Sequence, residues 1–268
     1  MIDAPSSEIK NDERRWQDTE GGLLQQQAYG RPGTRLVLEQ QFARIADALH
    51  LQRGHCLLDI GCGVGNLLAW LGRQDDYRLH GLDIAFNSIR QAATAGHTLK
   101  LTVGDSEALP YGNQAFDRVV CNGAAHHFLD PLVAFREILR VLRPGGELVM
   151  YEPTATAVTT ILRKAVINFD RYESPADLAH KEEFTAPRAQ ALLETVGFTA
   201  ISTSLHDFLA YPLSGSYMRS PISGSARIMG ALSQVERNLA SVKMLRSLWG
   251  LLSWRVLVVA SKPRVEKR

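Results

Sequence analysis

The chain has 268 residues, of which 45% are hydrophobic and 22% charged, and its 30 Lys and Arg against 28 Asp and Glu leave a net charge of only +2. This composition is ordinary for a globular protein, and no basic stripe of the kind that grips a nucleic-acid backbone is present, so no nucleic-acid partner is expected. The N-terminus is charged and no uncharged apolar run reaches about 18 residues. These features favour a cytoplasmic protein without stable membrane insertion.

The three cysteines are Cys56, Cys62 and Cys121. No pair among them has the spacing of a metal-ligand set or of a redox motif. We therefore expect buried, reduced thiols and no metal site. Such cysteines fit a reducing compartment.

Strand and helix patterns alternate from residue 34 onwards, where apolar residues first fall at helical spacing. The predicted strands are 56–60, 79–84, 99–103, 116–122, 147–152, 201–209 and 256–260. The predicted helices between them are 67–71, 88–95, 131–142 and 187–196, and a turn is expected at 144–146. This alternation is typical of βαβ units in a parallel sheet, which binds ligands at the carboxyl ends of its strands.

A glycine-rich turn follows the first strand and opens a helix. It reads Gly61-Cys62-Gly63-Val64-Gly65-Asn66, directly after Asp59-Ile60. Glycine lets a ligand lie close to the backbone, and the start of the helix offers free N–H groups. The dinucleotide fingerprint would place glycine where Asn66 stands. On this motif alone, a plain strand-to-helix turn stays open as the alternative.

Polar residues stand at the carboxyl ends of the next three strands. Asp83 ends the second strand, where its carboxylate could accept hydrogen bonds from both hydroxyls of a ribose, and Ile84 beside it could lie on an adenine face. Asp105 and Ser106 follow the third strand, and a carboxylate there suits an exocyclic amine. Asn122 ends the fourth strand. One crevice at this edge of the sheet would collect all of these residues.

With these motifs the sequence resembles the class I S-adenosylmethionine (SAM)-dependent methyltransferases, most of all the branch of ubiquinone and menaquinone biosynthesis and other small molecules. The matching segments are LLDIGCGVG (57–65), GLDIA (81–85), VGDSEALP (103–110), FDRVVCNGAAHHF (116–128) and REILRVLRPGGELVM (136–150). The resemblance covers about residues 34–153 and becomes vague beyond them. One departure is Ala85, where the family often has Ser or another helix cap.

The resemblance implies a Rossmann-like α/β fold: a seven-stranded, mostly parallel sheet with a reversed last strand, and helical insertions that form a cap. The expected organisation follows from this fold and from the predicted elements. It comprises an N-terminal lid (1–33), the SAM-binding core (34–153), a lid or substrate insertion (154–186), a continuation of the core (187–212), a helical insertion for the substrate or a homodimer contact (213–252), and the final strand and tail (253–268).

The resemblance also implies roles for the residues of the crevice. Gly61, Gly63 and Gly65 would line the methionine part of SAM, with Asp59 supporting their loop. Asp83 would hold the ribose, Asp105 the adenine amine, and Asn122 the methionine amino group through its carbonyl. The other residues expected at the cofactor are Cys62, Asn66, Ile84, Ser106 and Tyr29.

Two histidines, His126 and His127, follow the fourth strand and would face the sulfonium region in this family. Histidine titrates near neutral pH and can act as a general base, which contributes a factor of about 10²–10⁴ when the acceptor must lose a proton. Packing over the cofactor is the alternative role. Of the two, His127 is the one favoured for a contact.

The sequence thus predicts an enzyme that moves the sulfonium methyl group of SAM to a small-molecule acceptor in biosynthesis and releases S-adenosylhomocysteine. O-methylation is expected ahead of C- or N-methylation. One alternative is a SAM-binding protein of the same fold that does not methylate or catalyses another reaction. Another is an NAD(P)-dependent oxidoreductase, against which Asn66 and the motif at Asp105 argue. A macromolecular substrate is disfavoured because 122–125 read Asn-Gly-Ala-Ala rather than Asn-Pro-Pro-Tyr.

Overall fold

The computed structural model describes residues 7–21, 27, 29–94, 99–166, 175, 184–215 and 220–264. Its strands are β1 (Cys56–Ile60), β2 (Arg78–Asp83), β3 (Lys100–Val103), β4 (Phe116–Asn122), β5 (Leu142–Pro153), β6 (Thr199–His206) and β7 (Arg255–Ser261). Its α-helices are α1 (Ser7–Trp16), α2 (Pro32–Leu49), α3 (Asn66–Leu71), α4 (Phe86–Ala92), α5 (Pro131–Val141), α6 (Ala157–Val166), α7 (Ala186–Val196), α8 (Ala210–Leu213), α9 (Ala226–Ser241) and α10 (Arg246–Leu252).

The strands form one sheet in the order β3-β2-β1-β4-β5-β7-β6. Strands β1 to β5 pair in parallel, whereas β7 runs antiparallel to both of its neighbours, β5 and β6. The expected seven-stranded sheet with a reversed last strand is therefore confirmed. The strand order reverses between β1 and β4, and this is the point at which open α/β sheets bind ligands.

Helices cover both faces of the sheet. On one face, Phe135 and Ile138 of α5 and Leu193 of α7 have no exposed surface. On the other face, Ile45 of α2 and Leu68 of α3 are equally buried. Because both faces are covered, the central strands consist largely of apolar residues, which explains why they contain short hydrophobic runs in the sequence.

The insertion before β7 contributes to the core around α2. Met229 of α9 is completely buried in a cluster with Val37 and Trp254. A Cβ atom at Gly33 would lie 2.6 Å from Cγ of Met229, so the two helices pack closely at this glycine. Of the first insertion, residues 167–174 and 176–183 lie outside the described part of the chain. The division of the chain into lids and insertions stays a prediction.

The expected turn at 144–146 is wrong, because these residues belong to β5. The N–H of Gly145 donates to the carbonyl of Lys262, and the N–H of Lys262 donates to the carbonyl of Gly146. Because it pairs with the segment that follows β7, β5 begins before the two glycines instead of after them. Gly145 has φ of 77°, a conformation that other residues rarely adopt.

All three cysteines are buried free thiols, as the sequence indicates. Among the helices in the described ranges, none combines the length and the apolarity needed to cross a bilayer.

Candidate active site

The glycine loop between β1 and α3 brings the chain close to the turn after β4. Gly61 and Gly65 have φ of 70° and 79°, which glycine adopts without strain. A Cβ atom at Gly61 would lie only 2.4 Å from Cβ of Ala124, so a larger residue could not stand there without displacing the turn after β4. The loop therefore presents bare backbone at the switch point of the sheet.

Asp83 stands at the end of β2 with its carboxylate fixed against the loop. Its Oδ2 accepts the N–H of Gly63 at 2.8 Å, and its Oδ1 accepts the N–H of Ala85 at 2.9 Å. Burial raises the pKa of Asp83, although these backbone hydrogen bonds act to lower it. A carboxylate has about four lone-pair positions, so both oxygens can accept further hydrogen bonds. Ala85 is the N-cap residue of α4 and provides no side-chain hydrogen bond to the helix.

Asp59 lies beneath the loop with only 2% of its surface exposed. Within the described residues its Oδ1 has no hydrogen-bond partner. Burial, and then the nearby charge of Asp83, raise the pKa of Asp59 well above its usual value. A buried carboxyl group with an unsatisfied oxygen is costly. A polar or charged group bound at this end of the sheet would reduce that cost.

Asp105 is paired with a lysine that the sequence pattern did not single out. Lys10 of α1 donates to Oδ2 of Asp105 at 2.9 Å and also to Oε2 of Glu107. Further along, Asp18 accepts the backbone N–H of Asn87 at 2.8 Å. The N-terminal segment therefore lies across the ends of β2 and β3, over the region expected to hold the adenosine.

The remaining residues expected at the cofactor occupy the same edge. Cys62 is buried in the loop, Ile84 and Ser106 are half-buried beside Asp83 and Asp105, and Asn66 is exposed at the start of α3. The Oδ1 of Asn122 accepts a hydrogen bond from Arg255 at 2.8 Å. Tyr29 lies nearby: burial, and then Tyr211, raise its pKa, while Arg255 acts to lower it.

The two histidines have different carboxylate partners. Nδ1 of His126 lies 2.8 Å from Oε2 of Glu152, a residue of β5 with no exposed surface. Nδ1 of His127 lies 3.7 Å from Oε1 of Glu13 in α1. The two imidazole rings are in contact, with centroids 3.9 Å apart. Each histidine is thus tied to a different element, His126 to the sheet and His127 to the N-terminal helix.

Glu152 is held in place by three hydrogen bonds. Its Oε1 accepts the N–H groups of Ala124 and Ala125 at 3.1 and 3.0 Å, and its Oε2 contacts His126. Burial acts to raise the pKa of Glu152, but the hydrogen bond and charge of His126, with Arg255 and the backbone, bring it below its usual value. An ionised carboxylate only accepts hydrogen bonds. His126 therefore donates through Nδ1, which leaves Nε2 as the basic nitrogen.

Four residues of this site escaped the sequence reasoning: Lys10, Glu13, Glu152 and Arg255. The sequence could have indicated Glu152, because this acidic residue stands near the end of a predicted buried strand, as Asp83 does. Arg255 had a weaker one, a single charge at the start of the last apolar run. Lys10 and Glu13 belong to a polar helix whose place over the sheet no local pattern indicates.

The chain is similar in sequence to known methyltransferases. A family model described as a methyltransferase domain matches residues 58–150. Methyltransferase GfsG of Streptomyces halstedii is 28% identical over 171 residues, which cover 61% of this chain and 62% of that protein. The 27-O-demethylrifamycin SV methyltransferase of Amycolatopsis mediterranei (strain S699) is 33% identical over 113 residues, covering 40% of this chain and 42% of that protein.

Among solved structures, the (4+2)-cyclase SpnF shares the fold, with a TM-score of 0.57 at 20% identity over 85% of this chain and 81% of that one. The chain spans less than two thirds of the length of the two curated relatives. Both matches to those relatives are therefore partial.

Proposed function

We propose that this chain, in which residues 58–150 match a methyltransferase domain, is a class I SAM-dependent methyltransferase that transfers the methyl group of SAM to an oxygen atom of a small molecule in a biosynthetic route. The observation that carries the cofactor assignment is the carboxylate of Asp83, fixed by Gly63 at the switch point of the sheet. A cytoplasmic location and a homodimer stay predictions.

The residues at the crevice fit SAM. The glycine loop presents bare backbone at the switch point, where Gly61 lets the turn after β4 approach the loop closely, and Asp83 has acceptor positions for ribose hydroxyls. Asp59 offers a buried, unsatisfied carboxyl oxygen beneath the methionine end. When bound, SAM would supply a methyl group on a positively charged sulfur, and this sulfur is a good leaving group. The protein then has to align the acceptor, and such orientation can contribute roughly 7–11 kcal/mol.

We assign the role of general base to His126 rather than to His127. Glu152 holds Nδ1 of His126, so Nε2 can take a proton from the acceptor, and the buried carboxylate stabilises the imidazolium that forms. His127 is tied to the N-terminal helix through Glu13. A positioned base suits a hydroxyl acceptor, which must lose a proton, and this supports O-methylation. The name of the rifamycin relative points the same way.

A second candidate is another reaction on the same fold, which the name of the structural neighbour SpnF, a cyclase, favours. The deciding experiment incubates the chain with methyl-labelled SAM and a panel of phenols and aliphatic alcohols. We expect S-adenosylhomocysteine and an O-methylated product in equal amounts. Acceptor conversion without S-adenosylhomocysteine would establish the second candidate instead, and label on carbon would overturn the assignment of oxygen.

A further inference from the structure

Arg255 is a buried cation at the ligand edge of the sheet. It is the first residue of β7, and because β7 is antiparallel to β5, this start of the strand lies beside the end of β5, opposite Pro153. Only 5% of its surface is exposed. The guanidinium reaches across to β4, where a Cβ atom at Gly123 would lie 3.6 Å from its Nη1. Arg255 thus borders the turn that follows Asn122.

The hydrogen bonds of Arg255 go to neutral groups. Its Nη2 donates to Oδ1 of Asn122 at 2.8 Å and to the carbonyl of Tyr151 at 2.5 Å, which uses both hydrogens of that nitrogen. Its Nε is buried and has no acceptor within the described residues. The guanidinium carbon lies 4.6 Å from the ring centre of Tyr151 and 5.3 Å from that of Tyr211.

A buried charge without a bonded counter-ion is expensive, and contact with aromatic rings recovers only part of that cost. The chain offers a direct comparison in Arg44, which also lies over the ring of Tyr151, 5.8 Å from its centre. Arg44 donates to the carboxylate of Asp207 at 2.9 Å. Arg255 lacks such a bond and sits at the ligand edge, which is where an anionic ligand group would provide one.

We propose that Arg255 binds the carboxylate of the methionine part of SAM, with the hydroxyl of Tyr29 beside it. This inference rests on the proposed function. Asn122 and the turn after it border the methionine end of the expected site, and the carboxylate is the one anionic group of SAM. A guanidinium bonds a carboxylate more strongly than a neutral donor does, because the hydrogen bond is charge-assisted.

The test is a cycle that removes the arginine and the ligand carboxylate separately. Calorimetry would compare S-adenosylhomocysteine with its decarboxylated analogue on the wild-type chain and on Arg255→Gln and Arg255→Lys. We expect the wild type to bind the decarboxylated analogue at least about tenfold more weakly. In Arg255→Gln the two ligands should bind within about twofold of each other, and Arg255→Lys should show an intermediate ratio, since lysine lacks the planar fork.

Arg44→Gln is the matched control, and its ratio should equal that of the wild type. The inference is overturned if Arg255→Lys or Arg255→Gln, folded by circular dichroism, keeps the wild-type ratio. It is also overturned if the wild type binds both ligands equally. If Arg255→Gln does not fold, Arg255→Lys carries the test. A wild-type chain that binds neither ligand would instead defeat the proposed function itself, together with this inference.

Discussion

Glu152 and His126 form a carboxylate–imidazole pair, with Oε2 and Nδ1 separated by 2.8 Å. The carboxylate comes from the sheet and has no exposed surface, whereas the imidazole ring is 19% exposed. Two backbone N–H groups from the turn after β4 fix the other oxygen of Glu152. The pair therefore joins β5 to that turn and holds one imidazole in a single orientation at the edge of the crevice.

Glu152→Gln should lower kcat for methyl transfer about 100-fold, because the amide no longer fixes the tautomer of His126 or stabilises its charged form. The measurement is steady-state kinetics with the hydroxyl acceptor found in the labelling screen. The affinity for S-adenosylhomocysteine should stay within about threefold, since Glu152 acts on the acceptor side.

His126→Asn should cause a loss of similar size, and the double variant should lose little more, as expected of residues that act as a unit. His127→Asn is the control and should retain most of the activity. The assignment of the base is wrong if His127→Asn is the more damaging of the two, or if the effects of Glu152→Gln and His126→Asn simply multiply.

S-adenosylhomocysteine should protect the N-terminal segment from trypsin. The cleavage sites at Lys10, Arg14 and Arg15 lie on α1, whose Lys10 bonds Asp105 at the expected adenine position. A bound ligand would be covered by this segment and would hold it closed. Limited proteolysis with and without the ligand measures the effect, with the exposed Arg227 and Arg237 of α9 as internal reference sites.

Lys10→Gln removes one tryptic site and should speed cleavage at the remaining sites, Arg14 and Arg15, in the absence of ligand, because both carboxylate contacts of Lys10 are lost. Equal cutting of α1 with and without S-adenosylhomocysteine would show that the segment is not a lid.

The stability of the fold should fall as the pH drops from about 6.5 towards 4, in part because of His206. Burial, and then the charge of Arg44, lower the pKa of this histidine to about 4, while Asp207 opposes them. The folded chain therefore keeps His206 neutral in a pH range where the unfolded chain binds a proton. Proton binding stabilises the unfolded state, so the free energy of unfolding falls. The full shift corresponds to about 3 kcal/mol.

Urea unfolding at pH 7 and at pH 4.5 measures this effect. His206→Gln should lose less free energy of unfolding between these two values than the wild type does. His50→Gln is the control, because that side chain is 72% exposed. The same pH slope in His206→Gln as in the wild type would contradict the account.

The positions of the glycine loop and of Asp83 in the fold were predictable because these residues follow local rules. Gly61 directly follows β1, Asp83 ends β2, Gly65 directly precedes α3, and the positive φ angles of the loop require glycine at 61 and 65. The strands were predictable because buried parallel strands leave short apolar runs in the sequence, whereas the reversed last strand was implied by the family resemblance.

The rest of the candidate site was less accessible because it depends on contacts between distant segments. Glu152 meets His126 across 26 positions of the chain, and Arg255 meets Asn122 across 133. The extension of β5 through Gly145 likewise depends on Lys262, which lies far along the sequence. No window of periodicity contains both members of such a pair, so the sequence pattern could not connect His126 with Glu152.

The central claim is that Asp83 and the glycine loop bind SAM, and calorimetry with S-adenosylhomocysteine tests it most directly. The wild-type chain should bind one equivalent, and Asp83→Ala should bind at least about tenfold more weakly, because hydrogen bonds to a buried charged group contribute about 1.5–3 kcal/mol. Asp75→Ala, a change at an exposed acid beyond α3, should leave the affinity unaltered. An undiminished affinity in folded Asp83→Ala, or a wild-type chain that binds NADH and not S-adenosylhomocysteine, would contradict the account.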